Sequence, residues 1–223
     1  YFNADEGDHL AQKNRQPNTF DEGISGFNQT YLELCEKVID EESAITLRGA
    51  ITTQNRAALA TLSGGIAAKV SAKRMAEIQE KGRAESDHTF NGSVQLEFTG
   101  SAGQGFAVFQ TEGMNVKLWG EANDSVCKSM SGGLTVINPS VESRFKPPEN
   151  AIIGNCALYG ATGGTLYVHG IAGDRFAVRN SGATAVVEGT GLHPCEYMTN
   201  GTVVILGSIA GNAGAGMTGG ILY

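Results

Sequence analysis

The sequence lacks closely spaced cysteines, a basic surplus and a high content of charge. Its four cysteines, Cys35, Cys127, Cys156 and Cys195, include no CxxC pair, which argues against a zinc ribbon or an iron–sulfur ligand run in this chain. A formal net charge of −7 disfavours binding to nucleic acid or anionic lipid. The opening residues 1–12 are polar and show no signal peptide, so we expect reduced thiols and a cytoplasmic location.

Composition divides the chain near residue 90. Residues 1–90 contain 24 charged residues and 7 glycines, whereas residues 91–223 contain 15 charged residues and 24 glycines. Such a break predicts two architectures in one chain. Glycine shows no three-residue period, which excludes collagen, and a hydrophobic content of 41% argues against global disorder.

The first part is predicted to be an extended arm followed by helices. Residues 1–27 are polar and have few periodic hydrophobic residues, which is typical of an arm. Apolar residues at helical spacing predict an amphipathic helix over residues 30–43 and a further helix over 55–70. A separate helix is expected to begin at Ser71 and end at Gly82, and the segment 44–51 between the helices predicts a short strand.

The second part repeats with a period near 19 residues, which is its most informative feature. Each unit starts with a short strand of β-branched residues, passes a glycine and closes at one or two glycines. One unit carries an insertion at residues 142–150, which we expect to form a surface loop. The units begin at Ser93, Met114, Leu134, Thr165, Thr184 and Thr202.

This period predicts a mainly β fold, a parallel β-helix in which short strands stack on their copies. The predicted domains are an end-covering N-terminal segment over residues 1–90 and a β-helix of about six coils over residues 91–223. Residues expected to point inward are Val168, Val186, Val203 and Ile205. Corners need a positive φ or a close backbone approach, and the glycines expected there are Gly103, Gly133, Gly164, Gly182, Gly201 and Gly220.

Two glycine patterns have functional alternatives that we consider weaker. The runs Gly100-x-x-Gly103-x-Gly105 and Gly211-x-x-Gly214-x-Gly216 reverse the spacing of a dinucleotide-binding loop and precede no helix, so they favour corners over a cofactor site. The uncharged stretch 197–223 has the length of a membrane span. It continues the repeat and is rich in glycine, which favours a buried coil over a membrane segment.

No catalytic or metal-binding constellation stands out, and we predict no catalytic, cofactor-binding or metal-ligating residue in the chain. His169 or His193 could act as base for Cys195, but no third residue orients them. A β-helix lyase would need carboxylates on adjacent coils. Asp124, Asp174 and Glu188 share no offset within their units, so turn or salt-bridge roles with Lys128, Arg175 or Arg179 are expected.

Several long residue runs resemble one known family. Runs such as FTGSAGQGFAVF, GDRFAVRNSGATAVVEGTG and NAGAGMTGGILY are similar to the C-terminal Gly-x-Gly-x-Gly domain of the glutamate synthase large (alpha) subunit, over about residues 30–223. The resemblance implies a right-handed parallel β-helix without catalytic residues. It also implies a parent oxidoreductase that converts glutamine and 2-oxoglutarate into two glutamates, with FMN and a 3Fe–4S cluster in other domains.

The resemblance further implies partners, which would be the other domains or subunits of glutamate synthase, with a homo-oligomer also open. The alternatives are a stand-alone β-helix scaffold and a subunit that shares the fold, as in formylmethanofuran dehydrogenase. The last residues, Ile221 to Tyr223, form an apolar strand. Because an open end of a solenoid must be covered, we expect further chain or a partner there.

Overall fold

The computed structural model describes residues 19–81 and 88–223, and the side chains of residues 26–80 and 88–223. The fold is mainly β, with one parallel sheet of ten strands and two long helices. In chain order the elements are α1 (Thr19–Glu41), β1 (Ala44–Ile51), α2 (Ala60–Lys81), β2 (Ser93–Ala102), β3 (Met114–Ala122), β4 (Ser131–Asn138), a 3₁₀ turn (Pro147–Glu149), β5 (Ala151–Ile153), β6 (Gly163–Ala172), β7 (Ser181–Leu192), β8 (Asn200–Ile205), β9 (Ile209–Gly211) and β10 (Ile221–Leu222).

Each strand pairs in parallel with its copy in the next repeat. The main path runs β1-β2-β3-β4-β6-β7-β8-β10, while β5 pairs with β3 and β6, and β9 pairs with β7. The register confirms the predicted starts of the last units, because equivalent positions meet in one row. From one end of the sheet to the other that row contains Thr46, Gln95, Asn115, Leu134, Thr165, Thr184, Thr202 and Ile221.

The sheet begins before the composition break. Strand β1 was predicted over residues 44–51 and forms there, and all eight of its residues pair with β2. The repeating architecture therefore includes residues on both sides of residue 90. The division of the chain into two domains at residue 90 stays a prediction.

The helices differ from the prediction in three respects, the first being that α2 begins at Ala60 and not at residue 55, because Ala57 and Leu59 have a positive φ. Helix α1 begins at Thr19, so residues 19–27 are helical and the expected arm is wrong there, while residues 1–18 lie outside the described residues. Helix α2 runs without a break to Lys81, so no separate helix starts at Ser71. Ser71 lies within a run of good helix formers, and an N-cap residue has no role where the preceding turn is already helical.

Strand alternation decides which side chains enter the core. Val168, Val203 and Ile205 are buried as predicted. Val186 was expected to point inward, and that is wrong because Val187 is the residue that pairs with the inward Val168. Since side chains alternate between faces, Val186 lies on the outer face, half-exposed.

The insertion and the C-terminal end carry much of the exposed apolar surface. Residues 142–150 form an exposed or half-exposed loop containing the 3₁₀ turn, as predicted. At the C-terminal end, Leu206 is 64% exposed and Tyr223 is 72% exposed. A cover over that end stays a prediction.

Helix α1 packs over the first strands through an aromatic cluster. Phe98 of β2 is fully buried, and its ring centroid lies 5.2 Å from Tyr31 of α1 and 6.2 Å from Phe106, with both pairs close to edge-on. Phe27 lies 5.8 Å from Phe98. Such aromatic pairs add to the free energy gained by burial, so this cluster is a principal contact between helix α1 and the sheet.

A cluster of charges joins the end of α1 to α2 and the start of the second part. The Glu42 carboxylate lies 2.6 Å from Lys73 Nζ and 2.9 Å from His88 Nε2, and it accepts a hydrogen bond from Asn91 Nδ2 at 3.3 Å. The bond from Lys73 is the main cause that lowers the pKa of Glu42 from the usual 4.5 to about 2, and the bonds from His88 and Asn91 add to it.

We expect Glu42 to make stability depend on pH at acid values. Because its pKa is lower in the folded state, its contribution is complete above about pH 4.5 and is lost as the pH falls towards 2. Solvent screens this partly exposed cluster, so Glu42→Gln should cost about 1–2 kcal/mol at pH 6. Urea unfolding at pH 6 and at pH 3 should show the two proteins converging at the lower pH. An equal difference at both pH values would contradict the assignment.

Candidate functional site

The strands are linked by five-residue stretches of unusual backbone, which we call the corner segments. They comprise residues 105–109, 125–129, 156–160, 175–179, 193–197 and 212–216. In every corner segment the first, third and fifth residues have positive φ, and Ala57 and Leu59 begin the same pattern next to β1. Most of these residues are not glycine, although a left-handed φ is unfavourable for other L-residues.

Hydrogen bonds between successive corner segments hold this conformation. The N–H of Ser125 donates to Asn155 O at 2.8 Å in the next repeat, while that of Cys127 donates back to Phe106 O at 2.9 Å. The N–H of Ser129 donates forward again, to Tyr159 O at 2.8 Å. The same alternation recurs along the stack, so cross-repeat bonds offset the cost of the left-handed residues.

The six predicted corner glycines fall into two groups. Four of them adopt a positive φ between 78° and 94°: Gly133, Gly164, Gly201 and Gly220. Gly103 and Gly182 do not, and close approach is what excludes a side chain there. A Cβ on Gly103 would lie 2.5 Å from Thr53 O, and one on Gly182 would lie 2.2 Å from Thr162 O. The register aligns Gly182 with Gly163, whereas Ala183 is the residue aligned with Gly164.

Three polar side chains form a ladder just before the corner segments. Asp124 Oδ1 accepts from the N–H of Asn155 at 2.7 Å, and Asn155 Oδ1 accepts from the N–H of Asp174 at 2.8 Å. Asp174 Oδ1 in turn accepts from the N–H of Leu192 at 2.8 Å. The expected turn role is therefore correct, but Asp124 and Asp174 do occupy one equivalent position. The predicted unit start at Met114 hides that equivalence in the sequence, because the register aligns Thr165 with Asn115.

The structure does not bring a nucleophile and a base together at Cys195. The thiol is buried, and burial raises its pKa to about 12. Within the described residues, no hydrogen bond joins it to His193, whose Nδ1 lies 3.1 Å from Glu196 Oε1 and 2.6 Å from Asn212 Nδ2. His169 lies 4.0 Å from Glu188 instead. A buried neutral thiol is a poor nucleophile, so this candidate couple has no catalytic geometry.

The four cysteines should differ in their reactivity towards alkylating reagents. Burial raises the pKa of Cys127 to about 12 and that of Cys35 to about 11, whereas Cys156 is only partly buried. In native protein at pH 8 we expect iodoacetamide to label Cys156 and to leave the other three largely unmodified until urea is added. Peptide mass spectrometry reads each site, and equal labelling of all four in the folded protein would contradict the packing.

The outer face of the first strands has a shallow cleft of about 290 Å³. Its charges satisfy one another. Glu97 accepts hydrogen bonds of 2.9 Å from Trp119 Nε1 and from Arg48 Nε, and these lower the pKa of its carboxyl group. Lys117 Nζ lies 4.3 Å from the centre of the Trp119 ring. The cleft therefore holds a paired surface network.

A metal centre and a membrane-spanning helix are both absent from the part of the chain that the structure describes. Among these residues, no three or more His, Cys, Asp or Glu side chains lie close enough together to hold a metal ion. None of the described helices has the length and apolar character needed to span a bilayer. The uncharged stretch 197–223 contains strands β8, β9 and β10.

Comparison with known proteins matches this chain to one family model and to several relatives of one kind. A family model described as the GXGXG motif matches residues 28–223. Ferredoxin-dependent glutamate synthase 2, chloroplastic, of Arabidopsis thaliana is 61% identical over 137 residues, which are 61% of this chain and 8% of that protein. Ferredoxin-dependent glutamate synthase 2 of Synechocystis is 45% identical over 188 residues, 84% of this chain and 11% of that protein.

A relative that uses another electron donor, to judge by its name, shows the same match. Glutamate synthase [NADH] of Schizosaccharomyces pombe is 45% identical over 196 residues, which cover 88% of this chain and 9% of that protein. The chain thus spans about a tenth of the length of the curated relatives it matches. The matched family model covers all six corner segments.

Proposed function

The chain belongs to the GXGXG family as a domain of the glutamate synthase type, and from this premise we propose that it is the non-catalytic structural domain of a glutamate synthase. The parent enzyme would transfer the amide nitrogen of glutamine to 2-oxoglutarate and yield two glutamates. The observation that carries the proposal is the family match over residues 28–223, which includes every corner segment.

We further propose that the repeats wind into a right-handed parallel β-helix. In-register pairing of strands from Thr46 to Ile221 supports this proposal, and so do the corner segments that hydrogen-bond to their copies. A connection between parallel strands of one sheet is right-handed in nearly all proteins. Such a rod is stiff because every turn is bonded to the turns on both sides of it.

In this proposal the chemistry belongs to the neighbouring domains. An N-terminal amidotransferase would release ammonia from glutamine, and a (β/α)8 domain with FMN and a 3Fe–4S cluster would use it to form glutamate. This chain would pack against those domains and hold their spacing. A rigid spacer suits that task, because a transfer between two active sites depends on their separation.

The polar groups in the chain support a structural role. Asp124, Asn155 and Asp174 bond to backbone N–H groups of the following repeat. Buried Asn180 donates to Ala183 O at 2.9 Å and accepts from the N–H of Ala183 at 2.9 Å. These side chains are used to fix the stack, so they are not available to bind a substrate.

A domain exchange tests the proposal. Residues 28–223 would replace the matching segment of the Synechocystis enzyme, which is 45% identical to this chain. We expect the hybrid to form glutamate from glutamine and 2-oxoglutarate, and we expect the 223-residue chain alone to form none. The control is the same enzyme with the segment deleted.

Two results would contradict the proposed function. One is a folded hybrid without glutamate formation, and the other is turnover by the chain alone. A hybrid no more active than the deleted enzyme would favour the stand-alone scaffold instead. The cytoplasmic location stays a prediction, because the name of the Arabidopsis relative describes a chloroplastic enzyme.

A further inference from the structure

A column of aromatic and cationic side chains, all exposed except the half-buried Tyr159, runs down one side of the corner segments. It contains Phe109, Lys128, Tyr159, Arg179 and Tyr197, each at the fourth or fifth position of its segment. The N–H of each fifth residue donates to the carbonyl of the fourth residue in the next segment, as Phe109 does to Lys128 at 2.9 Å, so these two positions stack along one edge of the corner segments. Phe109 is 56% exposed and Tyr197 is 58% exposed.

The fold does not require large side chains in this column. Phe109, Arg179 and Tyr197 have φ values of 60°, 56° and 54°, where a bulky residue is strained. The equivalent positions in other segments hold Ser129, Gly160 and Gly216, with the same positive φ. Small residues therefore satisfy the backbone, and the exposed large ones add little to the core.

The column also carries positive charge for which the described residues provide no ion pair. Among the described residues, neither Lys128 nor Arg179 forms an ion pair, although Lys128 Nζ lies 5.8 Å from the centre of the Tyr159 ring. The nearby Glu196 is engaged by Arg175 at 3.5 Å and by His193 at 3.1 Å. The chain as a whole has a net charge of −7, so these cations are a local exception.

We propose that this aromatic–cationic column is the surface through which the domain docks on an acidic surface of another domain of glutamate synthase. Phe, Tyr and Arg are the residue types enriched at the centres of protein interfaces. Two unpaired cations between aromatic rings complement carboxylates on the partner. We assign the partner to the same polypeptide because the relatives are about ten times as long as the segment that matches this chain. This inference therefore rests on the proposed function.

Hydroxyl-radical footprinting tests the docking directly. Oxidation of Phe109, Tyr159 and Tyr197 is measured in the 223-residue chain and in the Synechocystis hybrid. In the hybrid we expect the oxidation rate of these three side chains to fall by a factor of about three or more, as burial in an interface core implies. Phe145 of the insertion loop, 43% exposed, serves as the control that keeps its rate.

A matched variant separates docking from folding. Phe109→Ser, Arg179→Gly and Tyr197→Gly together introduce the residue types found at equivalent positions. In the isolated chain the melting temperature should stay the same or rise, because glycine relieves the left-handed strain at residues 179 and 197. In the hybrid the melting temperature and glutamate formation should both fall, with the loss of activity about tenfold or more.

Three outcomes would overturn the docking proposal. The first is an active hybrid in which Phe109 and Tyr197 react as fast as in the isolated chain, which would leave the proposed function intact. The second is an active hybrid that the triple variant does not weaken. The third is an isolated chain that dimerises in sedimentation experiments and already protects the column, because the occupant would then be a second copy.

Discussion

Gly182→Val is expected to lower the free energy of unfolding by about 3 kcal/mol or more, which would leave little folded protein. A Cβ at this position would lie 2.2 Å from the carbonyl oxygen of Thr162 and 3.0 Å from its carbonyl carbon. The obstacle is backbone of the preceding repeat, which cannot rotate away as a side chain could. Urea unfolding followed by circular dichroism measures the loss.

Gly160→Ala is the matched control for this prediction. Gly160 has a φ of 64°, but nothing lies within 4 Å of a Cβ built there. Its cost should therefore be the left-handed strain alone, about 1 kcal/mol. If Gly182→Val were as mild as Gly160→Ala, the close contact between these two repeats would be wrong.

Phe98→Ala is expected to cost about 3–5 kcal/mol, because it empties a fully buried aromatic site. The ring contacts Tyr31 and Phe27 of helix α1 and Phe106 of the first corner segment. Its loss would therefore loosen helix α1 as well as the core of the sheet. Thermal unfolding and hydrogen exchange of α1 measure the two effects.

Two further variants define the range of this result. Phe98→Leu keeps most of the volume and should cost about 1 kcal/mol. Phe145→Ala lies in the exposed insertion and should stay within about 0.5 kcal/mol of the parent. A Phe98→Ala protein as stable as the Phe145→Ala protein would contradict the packing of α1 on the first strands.

Sequence reasoning succeeded where pattern and local propensity agree. Strand β1 forms over the predicted residues 44–51 because its sequence is rich in β-branched and apolar residues, and less exposed positions alternate with exposed ones. The repeat starts at Thr165, Thr184 and Thr202 are neighbours in the sheet. Val186 was misplaced because three consecutive apolar residues, Ala185 to Val187, hide the alternation.

The corner segments could not be predicted, because their residue types give no signal. Ser125, Cys156, Arg175 and His193 occupy the same first position with a positive φ, yet Ser, Cys and Arg have no preference for that conformation. Hydrogen bonds to neighbouring repeats impose it. Only the last segment, residues 212–216, contains Asn and two glycines where left-handed residues stand, and that pattern was interpreted as an ordinary corner.

The same reason explains Gly182. A glycine before a strand suggests a positive φ, but here the residue is required because the Thr162 carbonyl of the preceding repeat comes close. Close approach depends on how repeats stack, and this information is absent from a single unit. The sequence hides the equivalence of Asp124 with Asp174 for another reason, since the predicted unit start at Met114 is one residue before Asn115, which the register aligns with Thr165.

A crystal structure of the 223-residue chain is the most direct test of the central claim, that residues 44–223 form one right-handed stack of parallel rungs. The account predicts Thr46, Gln95, Asn115 and their equivalents in a single row about 4.8 Å apart, with left-handed residues at alternate positions of every corner. Antiparallel pairing of any two neighbouring repeats, left-handed winding, or a stack that starts only after residue 90 would contradict it.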